Sequence, residues 1–362
     1  MTTIRPTSID ELAHAVTTHP RLTVRGGGTK PALASAAPDV TVLDMRDVAG
    51  IVEYQAAECT FTARAGTPLA EIERALAPHG QHLPFDPPLA DAGATLGGAV
   101  ASGVNGSCRY RFGGIRDFVI GARIVDGRGQ LITSGGKVVK NAASFLLHQA
   151  LVGSCGTLGV IAELTFKVFP AAEAHATVRV DAGDIAAAVT LVNVVERARF
   201  DLEAIDIEAP GTVWIRLGGF REALSQRVRA LEDVLRGAAS ASRPSIEASF
   251  GDADAAVWQA ARGLSWATPG WALVRVPTTL RNLVELDAAL AGSGAVRRYP
   301  VAGNVALVAW PSSVDDIGVL LRDRGLVGQV LRGATAQRFV GATQANPFAT
   351  RLKAVLDPDG RF

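Results

Sequence analysis

The spacing of hydrophobic and polar residues along the first 80 positions predicts a small α/β lobe. Alternating apolar positions predict strands at 21–25, 41–45 and 58–65. Ser8 and Glu11 have the spacing of a capping box, so an amphipathic helix is expected to begin there. A second helix is expected to be capped by Thr67, to have Pro68 in its first position and to end near Gly80.

A proline-rich joint at 84–88 separates this lobe from a second lobe, which is rich in glycine. The second lobe has predicted strands at 118–125, 130–133 and 160–168. The residues at 126–129 read Asp-Gly-Arg-Gly, a strong turn signal that is expected to join the first two of these strands.

Beyond residue 170 the glycine clusters cease, and strands and helices alternate in two comparable sets. The first set has predicted strands at 177–180, 204–208 and 213–217, with helices from 184 and at 221–236. The second set has predicted strands at 273–276 and 305–310, with helices from about 279 and at 313–324. Two such halves predict an antiparallel sheet with helices packed on one face, and hence a fold of the α+β class.

Composition and charge narrow the possible functions. The 362 residues suit two domains, and a net charge of +1 gives no basic footprint for nucleic acid. Cys59, Cys108 and Cys155 lie far apart, which argues against an iron–sulfur cluster or structural zinc held by this chain alone. The N-terminus has no apolar signal region, and no apolar run is long enough for a membrane span. We expect a cytoplasmic protein whose membrane association, if any, is made through partners.

The strongest chemical signal is the pair of glycine clusters at 94–107 and 153–161, which flank a basic turn at 109–117. Glycine permits close backbone approach and positive φ, and exposed backbone N–H groups suit a pyrophosphate. The spacing is neither that of a Rossmann G-x-G-x-x-G motif nor that of a Walker loop. A phosphate-bearing ligand held in another way is therefore expected.

Several ordered motifs resemble the FAD-binding domain of the vanillyl-alcohol oxidase and p-cresol methylhydroxylase family. They are R-G-G-G-T at 25–29, G-T-P-L at 66–69, A-T-L-G-G at 94–98 with S-G at 102–103, R-F-G-G-I-R-D at 111–117, V-K-N at 139–141 and G-S-C-G-T-L-G at 153–159. Within that family the chain is most similar to FAD-binding subunits of bacterial glycolate oxidases. The resemblance implies a two-lobed FAD-binding domain of the p-cresol methylhydroxylase type, followed by a ferredoxin-like α+β substrate domain.

The resemblance also implies the domain boundaries. The FAD-binding domain is expected at 1–171, with lobes at about 1–82 and 83–171. The α+β cap domain is expected at 172–345, and a tail at 346–362 is expected to return to the FAD domain. The family's C-terminal signature ends early here, at Asp357-Pro358-Asp359-Gly360-Arg361-Phe362, through truncation or divergence. Leu146 stands where relatives commonly carry a carboxylate, so no polar role is assigned there.

The residues that the resemblance assigns to FAD come from these motifs. They are Arg25, Gly26, Gly27, Gly28, Thr29, Thr95, Leu96, Gly97, Gly98, Ser102, Gly103, Arg111, Asp117, Gly153, Ser154, Gly156, Thr157, Gly159 and Ile161. For any one of these glycines a tight turn is the alternative, and for Arg111 the alternative is a surface pair with a carboxylate. The first glycine loop contains neither His nor Cys, so non-covalent FAD is predicted.

Catalytic residues are harder to find in the sequence. Oxidation of a 2-hydroxy acid calls for a base, most naturally His, and for an Arg that holds the carboxylate. All six histidines lie at or before position 175, and the histidine cluster of related D-lactate-type dehydrogenases is absent. The remaining candidates are Arg275, Arg332, Tyr299 and His148, each with a structural role as the alternative. No metal site is predicted.

Three functions remain open at this point. The first is an FAD-binding subunit of a glycolate-oxidase-like complex that oxidises glycolate or D-lactate, with a paired flavoprotein subunit and an iron–sulfur subunit as partners. The second is a self-sufficient FAD-dependent oxidoreductase acting on another alcohol or hydroxy acid. The third is a flavin-loaded structural subunit without catalysis of its own.

Overall fold

A computed structural model describes residues 2–35, 37, 39–136, 146–238, 245–343 and 346–362. The chain forms two compact units. Unit 1 comprises Met1–Asn105, Gly113–Pro170 and Gln344–Phe362, and unit 2 comprises Gly106–Phe112 and Ala171–Thr343. The motif at 139–141 lies outside the described residues.

The strands are β1 (Thr3–Ile4), β2 (Leu22–Arg25), β3 (Thr41–Asp44), β4 (Ile51–Gln55), β5 (Thr60–Arg64), β6 (Gln81–His82), β7 (Val119–Val125), β8 (Leu131–Gly135), β9 (Val160–Lys167), β10 (Phe169–Pro170), β11 (Ala174–Asp181), β12 (Ala204–Glu208), β13 (Thr212–Gly219), β14 (Ser245–Phe250), β15 (Ala272–Pro277), β16 (Val296–Tyr299), β17 (Val305–Trp310), β18 (Val327–Arg332) and β19 (Phe339–Gly341). The helices are α1 (Ile9–Thr18), α2 (Leu69–Leu76), α3 (Leu96–Ser102), α4 (Arg109–Phe112), α5 (Leu147–Ala150), α6 (Ile185–Arg197), α7 (Arg221–Ala238), α8 (Asp252–Gly263), α9 (Leu283–Ala291), α10 (Pro300–Gly303), α11 (Val314–Arg322) and α12 (Pro347–Leu356).

Unit 1 is built on a small parallel sheet, β1-β3-β2, and an antiparallel sheet, β4-β5-β9-β7-β8. Strand β9 alternates between buried and half-buried positions, as expected of a strand with one face on a core. Phe166 of β9 stacks on Phe61 of β5, with ring centroids 5.7 Å apart. The chain's last residues lie in this unit, where the Leu22 N–H donates to the Arg361 carbonyl at 2.6 Å.

Unit 2 contains one nine-stranded sheet, in the order β14-β11-β13-β12-β16-β17-β15-β18-β19. Its two halves each run β-α-β-β-α-β, from β11 to β14 and from β15 to β18, and β12 pairs with β16 to join them. Every pairing in this sheet is antiparallel. The antiparallel sheet predicted for the second half of the chain is therefore confirmed.

One predicted helix start is wrong. Thr67 does not cap α2, because its hydroxyl donates to the Arg64 carbonyl at 2.7 Å and accepts from the Gly50 N–H at 2.9 Å. The helix begins at Leu69, and Pro68 is its N-cap. Thr67 therefore ties the turn after β5 to the turn before β4.

The sequence pattern also missed elements. Helix α3 lies inside the first glycine cluster, where low helix propensity hides it. Strand β14 is a sheet edge on which most residues are exposed, so its apolar pattern is weak.

Candidate functional site

Glycines from three of the sequence motifs line one cavity in unit 1. The cavity contains about 730 Å³ of empty space, including space open to solvent. Five segments line it: the end of β2 with the loop to residue 34, Met45 after β3, Ala65 after β5, residues 94–102, and residues 155–161. Val24 and Ile161 of this lining are 137 positions apart in sequence, so the fold has to assemble the cavity.

The loop that follows β2 offers unused backbone donors. Among the described residues, none accepts a hydrogen bond from the backbone N–H groups of residues 26–30. Gly27 lies so close to a neighbouring turn that a Cβ would stand 1.8 Å from the Gly93 carbonyl oxygen, and Gly28 has φ +70°. Only glycine fits this backbone, and consecutive free N–H groups form an anion-binding concavity.

Helix α3 is set against the cavity by its own glycines. Thr95 caps the helix, accepting from the Gly98 N–H at 3.3 Å. The Gly97 N–H donates to the Ala65 carbonyl at 2.8 Å, and a Cβ on Gly97 would come within 2.7 Å of the Ala65 Cβ. The missing side chain lets the helix rest on the end of β5 beside the glycine loop.

The opposite wall of the cavity is formed before and within β9. The Cys155 N–H donates to the Ala101 carbonyl at 2.8 Å, which joins this wall to α3. Gly159 has φ +133°, and its Cα lies close to the backbone of Val125. Ile161 follows in β9 and adds an apolar surface. A flat aromatic group would fit an apolar wall of this kind.

A buried carboxylate organises the charges beside the loop. Asp44, whose side chain is fully buried, pairs with Arg5 at 3.3 Å, Arg25 at 3.1 Å and Arg46 at 2.6 Å. Burial alone raises the pKa of the Asp44 carboxyl, but hydrogen bonds from Arg46 and Arg25 outweigh burial and hold that pKa well below its usual range. Arg25, which lines the cavity, is thereby fixed in place.

Most of the FAD residues inferred from the sequence line this one cavity. They are Arg25, Gly26, Gly27, Gly28, Thr29, Thr95, Gly97, Gly98, Ser102, Gly156, Gly159 and Ile161. The cavity lining does not include Leu96, Gly103, Arg111, Asp117, Gly153, Ser154 or Thr157.

The residues outside the lining have other contacts. Gly103 packs against Gly153, where a Cβ would stand 3.0 Å from the Gly153 Cα. The Asp117 carboxylate accepts from the Gly114 N–H at 2.8 Å and shapes its own turn. Arg111 belongs to unit 2, where it pairs with Asp201. A direct role in binding FAD stays a prediction for these residues.

The sequence reasoning passed over several lining residues. They are Val24, Lys30, Leu33, Ala34, Met45, Ala65, Ala94, Ala101 and Cys155. The apolar members carry no distinguishing pattern in sequence. Lys30 did carry a signal, because it is the charged residue immediately after the glycine loop.

Two catalytic candidates of unit 2 have structural partners. The Tyr299 side chain is fully buried and its hydroxyl donates to Asp287 at 2.5 Å. Burial, and then the Asp287 carboxylate, raise the pKa of Tyr299, which makes it a poor base. The Arg332 guanidinium donates to the carbonyls of Trp271 and Thr268, both at 2.9 Å, and so ties strand β18 to the turn before β15.

The other two candidates differ from each other. His148 is buried in unit 1 outside the cavity lining, with its Nδ1 3.1 Å from the Ser134 hydroxyl, and burial lowers its pKa. Arg275 contacts Gln329 only at 3.4 Å. Burial, followed by the nearby charge of Arg109, lowers the pKa of Arg275 to about 10. Of the four candidates, Arg275 is the one whose charge is not matched by a close partner.

Comparison with known proteins identifies the domain that holds the cavity. A protein-family profile described as an FAD binding domain matches residues 2–135. These residues form an FAD-binding domain. FAD is the cofactor that such a domain binds, and the glycine-lined cavity with its free N–H groups suits the pyrophosphate of FAD.

The chain is also similar to curated oxidoreductases. It is 37% identical over 216 residues to glycolate oxidase subunit GlcE of Escherichia coli (strain K12), covering 58% of this chain and 59% of that subunit. It is 30% identical over 179 residues to glycolate oxidase subunit GlcD of Bacillus subtilis (strain 168), covering 48% and 38%. It is 31% identical over 147 residues to D-lactate dehydrogenase of Archaeoglobus fulgidus, covering 41% and 33%. The chain thus spans less than two thirds of the length of these relatives.

Solved structures support the fold over nearly the whole chain. Alkyldihydroxyacetonephosphate synthase matches 99% of this chain and 74% of its own with a TM-score of 0.70 at 17% identity. Together with the FAD-binding domain, this likeness confirms the predicted fold class. Among the described residues, no helix is long and apolar enough to cross a membrane. Nor do those residues contain a group of three His, Cys, Asp or Glu side chains placed to hold a metal ion.

Proposed function

We propose that this chain is the FAD-binding subunit of a complex that oxidises a small 2-hydroxy acid such as glycolate or D-lactate and passes the electrons to a partner subunit. The observation that carries the proposal is the cavity of unit 1, where unused N–H groups and a buried ammonium meet an apolar wall. The similarity to glycolate oxidase subunits and D-lactate dehydrogenase supports the reaction class.

The division of labour follows from the side chains of unit 2. When bound, FAD supplies the acceptor for the two electrons and the hydrogen that leave the substrate's Cα. The hydroxyl proton needs a base, and His175 is the last histidine of the chain. Its Nε2 lies 3.1 Å from a carboxylate oxygen of Glu203, and Tyr299 is held by Asp287. We infer that the base belongs to a partner subunit.

The test uses the purified chain loaded with FAD, kept without oxygen. Glycolate and D-lactate are added separately, and flavin absorbance near 450 nm is followed. The absorbance should persist with the chain alone and fall once the co-expressed partner subunits are present. Dithionite should bleach the flavin in both samples, which shows that the cofactor is reducible. Bleaching of the isolated chain by either acid would refute the division of labour.

One observation favours a second candidate, a self-sufficient oxidoreductase. Arg275 and Arg109 lie near each other in unit 2, and neither has an ion-pair partner among the described carboxylates. Two such guanidiniums attract a carboxylate. In this case the isolated chain would be bleached by some hydroxy acid, and Arg275→Met would raise the substrate concentration needed roughly 10- to 100-fold.

The cofactor is expected to be dissociable. Of the described residues that line the cavity, Cys155 is the single cysteine and none is a histidine. Acid precipitation should therefore leave the flavin in the supernatant. Flavin absorbance in the washed pellet would point to a covalent tether, and Cys155→Ala would then be expected to release it.

A further inference from the structure

Lys30 is a buried cation that faces the cavity without a partner. It follows the glycine loop directly, lines the cavity and is only 8% exposed. No described carboxylate or hydrogen-bond acceptor reaches its ammonium. Burial is the single cause of its altered acidity, and it lowers the pKa of Lys30 to about 8.

Arg25, a neighbouring cation in the same lining, differs from Lys30 because it has an ion-pair partner. Arg25, five positions earlier and in the same lining, donates to the buried Asp44 carboxylate at 3.1 Å. A buried charge without a partner is costly, so lysines are almost never buried unless paired. Lys30 is as buried as a paired lysine but has no partner among the described residues. An anion bound in the cavity would be that partner.

We propose that the Lys30 ammonium binds the pyrophosphate of FAD and supplies the positive charge that the N–H groups of residues 26–29 do not. The pyrophosphate is the part of oxidised FAD that carries formal negative charge, and the unused donors of the same loop adjoin Lys30. The inference rests on FAD binding by this domain and not on the substrate that the chain oxidises.

A pH dependence follows from this contact. Above pH 8 most of the ligand-free protein has a neutral Lys30, whereas the bound dianion favours the ammonium. FAD binding should then take up a proton, and the affinity should fall as the pH rises above 8. The other titratable or charged groups of the lining are Arg25, which Asp44 holds, and the Cys155 thiol. Arg5 and Arg46 complete the cluster around Asp44.

The experiment measures FAD binding to the apoprotein by calorimetry from pH 6.5 to pH 9.5. Buffers of different ionisation enthalpy give the protons taken up per FAD. For the wild type, uptake should approach one proton at pH 9 and be near zero at pH 6.5. Lys30→Met should weaken FAD binding roughly 10- to 100-fold at pH 7 and should abolish the uptake.

Controls separate the contact from other roles of the lysine. Lys167→Met removes a lysine outside the lining, whose ammonium lies 5.5 Å from the centre of the Phe118 ring, and should leave the affinity unchanged. Thermal unfolding of Lys30→Met apoprotein should occur at the wild-type temperature or higher, because a buried charge is removed. The flavin reduction potential should stay the same, because the proposed contact is with the pyrophosphate.

Three results would overturn the inference. The first is unchanged FAD affinity in folded Lys30→Met. The second is proton uptake that persists in that variant, which would assign the titration to a group other than Lys30. The third is a shifted reduction potential, which would place the ammonium against the flavin ring. Wild-type calorimetry needs no variant, and the absence of proton uptake at pH 9 would contradict the inference even if Lys30→Met failed to fold.

Discussion

The cavity of unit 1 and two ion pairs of unit 2 give their buried charged side chains different partners. In unit 2, Arg216 pairs with Asp254 at 2.8 Å, and Thr177 donates to the same carboxylate. Arg297 of the same unit pairs with Asp287 at 2.6 Å. In unit 1, Lys30 is buried beside unused backbone donors. The charges of a closed pair are matched within the folded chain, whereas open donors around a cavity are matched only when a ligand binds.

This difference also separates residues that serve binding from residues that serve structure. The sequence assigned Arg25 to FAD binding and left Tyr299 as a catalytic candidate, with a structural role as the alternative. The cavity includes Arg25, while Tyr299 is sealed against Asp287. Substitutions in the cavity lining should therefore change FAD affinity, whereas Tyr299→Phe should change stability alone.

Blocking the cavity should have the largest effect. Ala101 lies in α3 and lines the cavity, so Ala101→Phe should fill space that FAD needs. We expect FAD affinity, measured by flavin fluorescence, to fall roughly 10- to 100-fold, since overpacking costs about 1–3 kcal/mol and about 1.4 kcal/mol is a factor of ten. Ala70→Phe places the same ring on α2 outside the lining and should leave the affinity within about twofold. Equal affinity in the two variants would exclude this cavity as the FAD site.

The same glycine substitution should have opposite effects in the two units. Gly27→Ala forces a Cβ against the Gly93 carbonyl, so the free energy of unfolding should fall by roughly 3 kcal/mol and FAD binding should be lost. Gly263→Ala, at the exposed end of α8 with nothing within 4 Å, should raise that free energy by about 0.5 kcal/mol. Denaturant unfolding checks both values. A Gly27→Ala protein of wild-type stability would show that the loop relaxes at no cost.

Asp44→Asn should cost less than either of the disruptive changes in unit 1. It leaves three arginines without their shared carboxylate, and because these are partly exposed we expect a loss of about 1–3 kcal/mol at pH 7. The lowered pKa of Asp44 means that its stabilisation is present above about pH 4 and is lost as the pH falls below that. Denaturant unfolding of wild type and Asp44→Asn at pH 7 and pH 3 tests this: the difference in unfolding free energy between the two proteins should be smaller at pH 3.

The control for Asp44 is an exposed pair. Asp39 binds Arg21 with more than half of both side chains exposed, so Asp39→Asn should change stability by less than about 0.5 kcal/mol. If both Asn variants lost the same amount at pH 7, burial of Asp44 would not be the source of its effect.

Tyr299→Phe should have the smallest effect and tests the structural assignment in unit 2. Loss of the hydroxyl removes one hydrogen bond to Asp287, which keeps its contact with Arg297, so we expect about 1 kcal/mol of destabilisation. Hydroxy-acid oxidation by the assembled complex should remain within about twofold of wild type. A loss of 100-fold with normal stability would instead make Tyr299 a catalytic base.

The glycine motifs could be recognised from the sequence because each of them is a short run of neighbouring residues with an unusual glycine content. Gly27 and Gly97 stand where a Cβ would meet backbone or a neighbouring side chain, and such positions show as glycine. Sequence reasoning missed Ala101 because a small apolar residue has no local sequence sign of lining a cavity. It missed Lys30 although that residue directly follows the glycine loop, because its burial cannot be read from the local sequence. Arg111 was included because of its motif, yet it pairs with Asp201. Whether Arg111 faces the cavity or Asp201 depends on contacts between residues far apart in sequence, and the hydrophobic periodicity does not predict such contacts.

The most direct test of the account is a crystal structure of this chain with FAD bound, with distances measured from the pyrophosphate oxygens. We expect the N–H groups of residues 26–29 to donate to these oxygens at about 2.7–3.2 Å. We also expect the Lys30 Nζ to lie within about 4 Å of a phosphate oxygen. A pyrophosphate bound away from the glycine loop, or a Lys30 ammonium directed elsewhere, would contradict it.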